Sequence, residues 1–563
     1  MPATPHLKTA VRVGKTIYIG QRDENHDHIK TRHGLHVRND NQHGFVPSDA
    51  THMWLSRSQA MSWLRRFEPD IYAKVHRKIP AEGLHSHIYA AAKGIVIRLT
   101  AEEREQGFPP QEGEQQEVTA TTPLNQITLV MIDHGLNISV AEALVESFAA
   151  VYLLIPNIEA YPNTDRDCIG TGLTGVERLY SSWSVEDEGR ATFKQFMDDK
   201  PDPLTTLFFF PDVGFSEMQS RLRADGFKVC GSGDADRLEL DKWFFQQQLA
   251  AAKLPVAETK RLVGITALSK YLADKPSGEC FIKISHHRGL METKKWLGAF
   301  LSSVWLDDLK CRLGRHADSQ VFIVQHRIDS VGEIGTDTLS LAGKVPDNSL
   351  CGLEAKDSGY AGKVFEKQPL ILQAVNEAME PILAKLGLAG HYSTEVRCVS
   401  ETEGHYIDAS VRIPSPPGEV MAMVYEKHCY AQALWDLANG RLPVLTPHKG
   451  TDGKPVLYCA EVILTSGWLE EKHWLPIEFP PEAAKYIRLK NHCIKDGKYF
   501  IVPSNNGGFF GAAIGVGKTM EEACKMALKY AEMVQGEDVK YESDVMEKAT
   551  KGIEAMSKIG IEF

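Results

Sequence analysis

The sequence predicts an α/β protein: a parallel-sheet domain with further strands and helices behind it, and a small α+β module in front. Three observations carry that expectation. From residue 126 onward, short apolar runs alternate with helical segments at a spacing that asks for a parallel sheet with crossover connections. Ahead of them, residues 101–124 (AEEREQGFPPQEGEQQEVTATTPL) are rich in Glu, Gln and Pro and nearly free of large apolar side chains, which is the composition of a linker. The net charge of −11 is also unevenly spread. Residues 1–100 carry 15 Lys+Arg against 8 Asp+Glu, and ten of the 21 histidines lie before residue 90. The basic first hundred residues and the acidic remainder are therefore different objects.

A chain of 563 residues is too long for one core. The expected divisions are a basic, His-rich module at 1–100, the linker at 101–124, a parallel-sheet domain at 125–235, a central domain at 236–430 and a C-terminal domain at 431–563. A hydrophobic content of 43% with 24% charged residues is that of a globular protein. No apolar run approaches the ~20 residues of a membrane span. The first residues, MPATPHLKTAVRVGK, lack the apolar region of a signal peptide. Ten scattered cysteines without a C-x-x-C pair read as reduced thiols, so the expected location is cytoplasmic.

In the first module, TIYIG is a strand and SRSQAMSWLRRF a helix with Ser56 or Ser58 as N-cap. Its segments TIYIGQRDENHDH, HGFVPSD and GLHSHIYAA resemble a small domain of phage-encoded proteins, which implies a phage origin and a host cytoplasm. His26, His28, His85 and His87 are candidate metal ligands or plain surface residues. The excess positive charge suits nucleic-acid or protein contact, with a structural role as the default.

The second domain follows in order. ITLVMID, VYLLIP, LTTLFFFPD and FKVCG are strands. Leu136–Ala149 and FSEMQSRLRADG are helices. The loop CIGTGLTGVER contains GTGLTG, but no convincing helix opens on it, so a dinucleotide site is discounted. Next comes a helix carrying Glu239, Asp241 and Lys242 that stops before Leu-Pro-Val. Cys280 to Ile284 is a short strand with Lys283 near its end. A polar loop follows, with Arg288, Gly289, Lys294 and Lys295. A cation fixed on a strand, with a basic glycine-bearing loop beside it, is what a polyphosphate needs. The helix AFLSSVWLDDLKC and the strand QVFIVQHRI lead to Glu333 and Asp337. STEVRC and GHYIDASVRIPSP then read as a hairpin, with Glu395 on one strand and Asp408, Ser410 and Arg412 alternating along the next. Period-two spacing puts those last three on one face. GLEAKDSGYAGKV reads as a Gly-punctuated loop, in contact with substrate or simply solvated. Near the end, GAAIGVGKT imitates a phosphate-binding loop. Ala512 stands where that pattern needs Gly, so Thr519 is read as a helix cap with Glu522 closing a capping box.

In this order, the D-K helix, strand Lys, hinge strand with Gln325, Glu333 and acidic hairpin resemble the ATP-grasp superfamily of carboxylate–amine ligases. The closest likeness is to phosphoribosylamine–glycine ligase, whose C-terminal domain is similar to the run from YCAEVILTSGW to EEACKMALKYAEMV. The resemblance implies an ATP-grasp fold over residues 126–430, with two α+β subdomains clamping ATP. It implies that Lys242, Lys283 and Arg288 hold phosphates, that Gln325 meets the adenine and that Glu333 takes the ribose. It also implies Mg²⁺ on Glu395, Asp408 and Ser410, and an acyl phosphate held by Arg412, with Arg412 and Lys283 as catalytic residues. The expected activity is an ADP-forming ligation of a small carboxylate and an amine. The ligase family has Asn where Ser410 stands and a different run where this chain reads RIPSPPGE. That departure keeps open a non-catalytic nucleotide-binding or virion-associated protein, and an ATP-grasp kinase.

Overall fold

The computed structural model describes residues 122–156, 167–181, 191–285, 293–355, 358–415, 418–504 and 507–563. Of residues 1–121 it describes only the backbone of eight short strands. The expected strand TIYIG is among these, as Thr16–Ile19. The expected first-module helix from residue 57 onward, His26, His85, His87, the linker up to residue 121 and Arg288 lie outside the described residues, whereas His28 begins the short strand His28–Lys30. The chain divides into two compact units, residues 1–122 with 223–226, and residues 123–222 with 227–563.

The second unit begins with a parallel sheet. Its strands are β1 (Thr128–Ile132), β2 (Ala150–Leu154), β3 (Val176–Leu179), β4 (Thr206–Phe209) and β5 (Lys228–Cys230), in the spatial order β3-β2-β1-β4-β5. All four pairings are parallel, and runs such as Leu129–Ile132 and Leu207–Phe210 are buried throughout, as a sheet covered on both faces requires. The helix expected at 136–149 is shorter, Ile138–Leu144 (α1). Its start is set by Asp133, whose carboxylate accepts from the Gly135 and Asn137 amides at 2.7 and 2.9 Å. The GTGLTG loop leads into β3 instead of a helix, and β3 itself was not foreseen. The connection from β4 to β5 is the expected helix, Ser216–Ala224 (α2).

The D-K helix is two helices, Asp236–Leu240 (α3) and Lys242–Ala251 (α4). Asp241 separates them. Its φ of −129° leaves the helical region, and its carboxylate accepts from the Phe244 amide at 3.1 Å, capping α4. A four-stranded antiparallel sheet follows in the order β6-β9-β7-β8, with β6 at Thr259–Val263, β7 at Cys280–Ile284, β8 at Thr293–Lys295 and β9 at Val321–His326. Cys280, Ile282, Ile284, Phe322 and Val324 pack on Leu268, Leu272 and Leu309 of the helices Ile265–Leu272 (α5) and Ser303–Leu313 (α6). Strand alternation then sends Lys283 and Gln325 to the other face.

The largest sheet has nine strands. Eight run β14-β13-β10-β11-β12-β15-β20-β17, and β22 (Val539–Lys540) pairs β15. Here β10 is Gly332–Leu341, β11 Ser349–Ala355, β12 Gly359–Phe365, β13 Ala389–Cys398, β14 Gly404–Ser410, β15 Tyr458–Ser466, β17 Ile487–Leu489 and β20 Phe509–Gly517. Strands β16 (Leu475–Glu478), β18 (His492–Lys495), β19 (Lys498–Ile501) and β21 (Gln535–Gly536) form a small sheet beside it. The amphipathic helix Leu370–Leu386 (α7) buries Ile371, Leu372, Val375, Met379 and Leu383 against Ile334, Tyr392, Val396, Tyr406 and Ala409. The alternate residues, Glu333, Glu395 and Asp408, are thereby turned to the opposite face.

GLEAKDSGYAGKV is a correction to the expected loop: its described part is the β11–β12 hairpin, inside the sheet. Its glycines sit in strands because the Tyr360 ring lies across two of them. A Cβ on Gly352 would stand 2.2 Å from Tyr360 Cζ, and one on Gly362 would stand 2.5 Å from Cε1. Thr519 caps the helix Met520–Ala531 as expected, accepting from the Glu522 amide at 3.2 Å. The Glu522 carboxylate, however, reaches the Lys518 amide at 2.8 Å, one residue before the cap. Among the described residues, no helix is long and apolar enough to cross a membrane.

Candidate active site

Four polar side chains from three parts of the chain converge between the small antiparallel sheet and the nine-stranded sheet. Lys242 opens α4 and is 3% exposed; Lys283 stands on the polar face of β7 and is 8% exposed. Both reach Asp408 on β14. Lys242 Nζ donates to Oδ1 and Oδ2 at 2.8 and 3.0 Å. Lys283 Nζ lies 3.6 Å from Oδ2 and donates to the Ile407 carbonyl at 3.0 Å. The two lysines are held in relation by Asp241, which caps α4 and accepts from Ser285 Oγ, just past β7, at 3.3 Å.

Glu395 is the direct cross-strand partner of Asp408, at a β-bulge where β14 carries the extra residue Ile407. Neighbouring side chains in register on an antiparallel pair have Cβ atoms roughly 4.5–5.5 Å apart, so two carboxylates share one spot. The electrostatics split them. Burial would raise the Asp408 carboxyl, but the two lysines and hydrogen bonds from Lys242 and the Ala409 amide outweigh it and hold the pKa down at about 2. Burial, with Asp408, Glu333 and Glu354 adding to it, pushes Glu395 well above the ordinary carboxylate range, against the pull of Lys283. A group poised this way needs a cation beside it to ionise.

The other expected residues are placed as follows. Gln325 lies on the same sheet face as Lys283 and donates weakly to Thr259 Oγ1 at 3.3 Å. Glu333, on the acidic face, is ion-paired to Arg397 at 2.7 Å. Ser410 stands opposite Ser393. Arg412 lies past the end of β14, where Nε donates to Glu239 Oε1 at 2.7 Å and lies 3.9 Å from Asp212 Oδ1. It thus points toward the carboxyl ends of the parallel sheet.

Asp337, noted in the sequence without a role, and two polar groups that sequence reasoning did not single out also stand near these elements. Asp337 is buried beside the acid pair, accepts from Tyr360 Oη and Ser393 Oγ at 2.7 Å each, and is pushed up to about 6 by burial. His134 and Asp212 meet at the ends of β1 and β4. Only their position, directly after apolar runs of a parallel sheet, marked them. Among the described residues, no three His, Cys, Asp or Glu side chains form a ready metal cage. The acid pair nonetheless fits Mg²⁺, which takes one or two carboxylates and completes its shell with water and phosphate oxygens.

No protein-family model matches the sequence, and no curated protein does. Solved structures do. The phosphoribosylamine–glycine ligase of Thermotoga maritima has 15% identity and a TM-score of 0.53, over 74% of this chain and 100% of that one. The biotin carboxylase domain of the Hydrogenobacter thermophilus 2-oxoglutarate carboxylase, solved with MgADP, ADP and bicarbonate, has 12% identity and a TM-score of 0.52, over 76% and 98%. The Campylobacter jejuni biotin carboxylase, solved as a complex with β-γ-ATP, has 14% identity and a TM-score of 0.50, over 74% and 94%. At such identities the likeness is one of fold. These proteins are ATP-grasp ligases, and from the parallel sheet through the nine-stranded sheet this chain has the ATP-grasp fold.

Proposed function

We propose that the protein is an ATP-dependent, ADP-forming ligase that joins a small carboxylate to an amine. The observation that carries this reading is the convergence of Lys242, Lys283, Asp408 and Glu395 between two sheets. Two desolvated ammonium groups beside two carboxylates form a site for the outer phosphates of a nucleotide with a divalent cation. Solved ATP-grasp structures contain such ligands, which supports the same pairing here. Glu395 and Asp408 would hold Mg²⁺, with Ser410 as a weaker third ligand. When bound, the ion supplies neutralisation of phosphate charge and brings Glu395 to its ionised form.

The residues of the chain have separate tasks in this reading. Lys242 and Lys283 orient the phosphates, with Arg288 as a third cation for them. Gln325 on β9 faces the adenine, and Glu333 the ribose. The substrate carboxylate attacks the γ-phosphorus, forming a P–O bond as the bond to ADP breaks, and Arg412 holds the resulting acyl phosphate. The amine then attacks the carboxyl carbon and phosphate leaves. Positioning and charge neutralisation account for the phosphoryl step, which asks little covalent chemistry of the protein.

Product analysis tests the reading. With MgATP, a panel of amino acids as carboxylates and hydroxylamine as the amine, the products should be ADP, phosphate and a hydroxamate. Asp408→Asn should lower ADP formation by at least about a hundredfold, as loss of a transition-state charge stabiliser does. AMP as the major product would sink the proposal. ADP with a stable phosphorylated acid would favour a kinase, and nucleotide binding without turnover a non-catalytic protein.

A further inference from the structure

Buried polar side chains nearly always find a partner, and the exceptions in this chain gather in one region. Among the described residues, twelve buried side-chain nitrogen and oxygen atoms make no hydrogen bond. Six of the twelve belong to Glu419, Glu461, Asn491 and His492. Lys490, Asn491 and His492 are consecutive just past β17, Glu461 is in the middle of β15, and Glu419 lies in the short 3-10 turn Gly418–Val420. Three segments far apart in sequence supply these groups.

Glu461 is the extreme case. Its neighbours on β15, Ala460 and Val462, pack with Cys524 and Ala527 of the helix Met520–Ala531. Alternation sends Glu461 to the other face, beside Tyr360 on β12, whose hydroxyl is bonded to Asp337. The side chain is 0% exposed and both oxygens are bare among the described residues. The charges that act on it are Glu419, Lys490 and Asp337, in falling order. Cys459, two residues back on the same face, is held as a thiol, pushed up by burial and then by Glu461. Lys490 is already committed. Its Nζ donates to Glu419 Oε1 at 2.6 Å, and the Leu136 carbonyl lies 3.4 Å away. Glu419 Oε2 stays bare, and Glu142 and Glu419 are the carboxylates that act on the Arg488 guanidinium. With Lys490 paired to Glu419, an ionised Glu461 is one negative charge without a partner.

We propose that Glu461, together with Glu419 Oε2, holds a small monovalent cation, either an alkali-metal ion or the ammonium head of an amine. A buried carboxylate is kept by its proton or by a positive partner. One unmatched charge calls for one positive charge, and a divalent ion would leave a surplus. Among the described residues no three His, Cys, Asp or Glu side chains form the cage that a structural transition metal takes. Carboxylate oxygens accept only, which suits a bare cation and the N–H groups of an ammonium alike. The cation takes the place of the Glu461 proton, so the two compete and the cation binds more tightly as pH rises. Once bound, it ties β15 to the turn at 418–420.

The test is melting of the full-length protein in equal concentrations of choline, potassium, sodium, ammonium and methylammonium chloride. Choline is too bulky to reach so buried a group and sets the baseline. Near pH 8 at least one small cation should raise the melting temperature over choline by roughly 1–2 °C, the gain at about ten times its dissociation constant. Near pH 5, where burial keeps the proton on Glu461, that gain should vanish. Glu461→Gln has the same shape and needs no counter-ion, so it should melt without the gain at either pH. General salt effects act on both proteins, and the difference between them is the reading. A gain with potassium, sodium or ammonium that stops short of methylammonium assigns an inorganic ion. A gain that extends to methylammonium assigns an amine head group. No gain over choline near pH 8, or the same gain in Glu461→Gln, would overturn the proposal and leave Glu461 to its proton.

Discussion

Lys283 is the side chain whose loss is most informative, because the fold does not need it. It holds the Ile407 carbonyl and leans on Asp408, but Asp408 keeps its shorter bond to Lys242. Lys283→Ala should therefore remain folded and weaken MgATP at least tenfold, about 1.4 kcal/mol, measured by calorimetry. Unchanged affinity would remove the central piece of the phosphate site. Glu461 on β15 makes the opposite case. It is 0% exposed, neither carboxylate oxygen has a hydrogen-bond partner among the described residues, and burial followed by Glu419 pushes its pKa well above 4.5, against Lys490. A raised folded-state pKa favours the native state fully below the unfolded value and loses that contribution as pH climbs toward the folded one. The wild type should lose stability as pH rises above about 4.5 for this reason. Glu461→Gln should flatten that slope and melt higher at neutral pH, and parallel melting curves from pH 5 to 8 would contradict it. That Lys283, Glu395 and Asp408 stand on strands was legible in the sequence because each sits in a short run of strand-forming residues. Glu461 was not: it reads as one polar residue in an apolar strand, and what isolates it, the Lys490–Glu419 pair at 2.6 Å, comes from two other segments.

At the scale of elements, the β11–β12 hairpin shows why spacing alone misread a stretch. Glycine usually punctuates loops, yet Gly352 and Gly362 are strand residues that leave room for the Tyr360 ring. Gly352→Ala would place a methyl group 2.2 Å from Tyr360. The expected cost is about 1–3 kcal/mol of overpacking, read from denaturant unfolding. Displacement of Tyr360 would also free Asp337 from its phenol donor, and activity should fall with stability. No change in the unfolding midpoint would mean that the ring is not held there. The split of the D-K helix at Asp241 belongs to the same scale. Asp and Lys in sequence suggest helix surface, but an Asp that caps the next helix is also a stop signal, and only the Phe244 amide decides between them.

For the whole molecule, the order of elements was readable because each ATP-grasp piece is local, whereas the meeting of the pieces is not. The division near residue 120 leads to a direct expectation. A chain starting there should fold alone and show an MgATP-dependent rise in melting temperature, since a ligand that binds only the native state stabilises it by mass action. Insolubility of that shorter chain would mean the first hundred residues share its core.

The acid pair and its two ammonium groups also differ in how far apart they lie along the chain. Glu395 and Asp408 face each other across one hairpin, but Lys242 reaches Asp408 over 166 residues and Lys283 reaches Ile407 over 124. Contacts between distant segments pay their loop entropy late and form slowly, so the hairpin can pair long before either ammonium arrives. If the proposed function holds, competence to take nucleotide is a clock for the last stage of folding. Refolding chains should regain their sheet signal first and their affinity for nucleotide afterwards, and a destabilised variant caught between the two would be well ordered by circular dichroism yet blind to ATP.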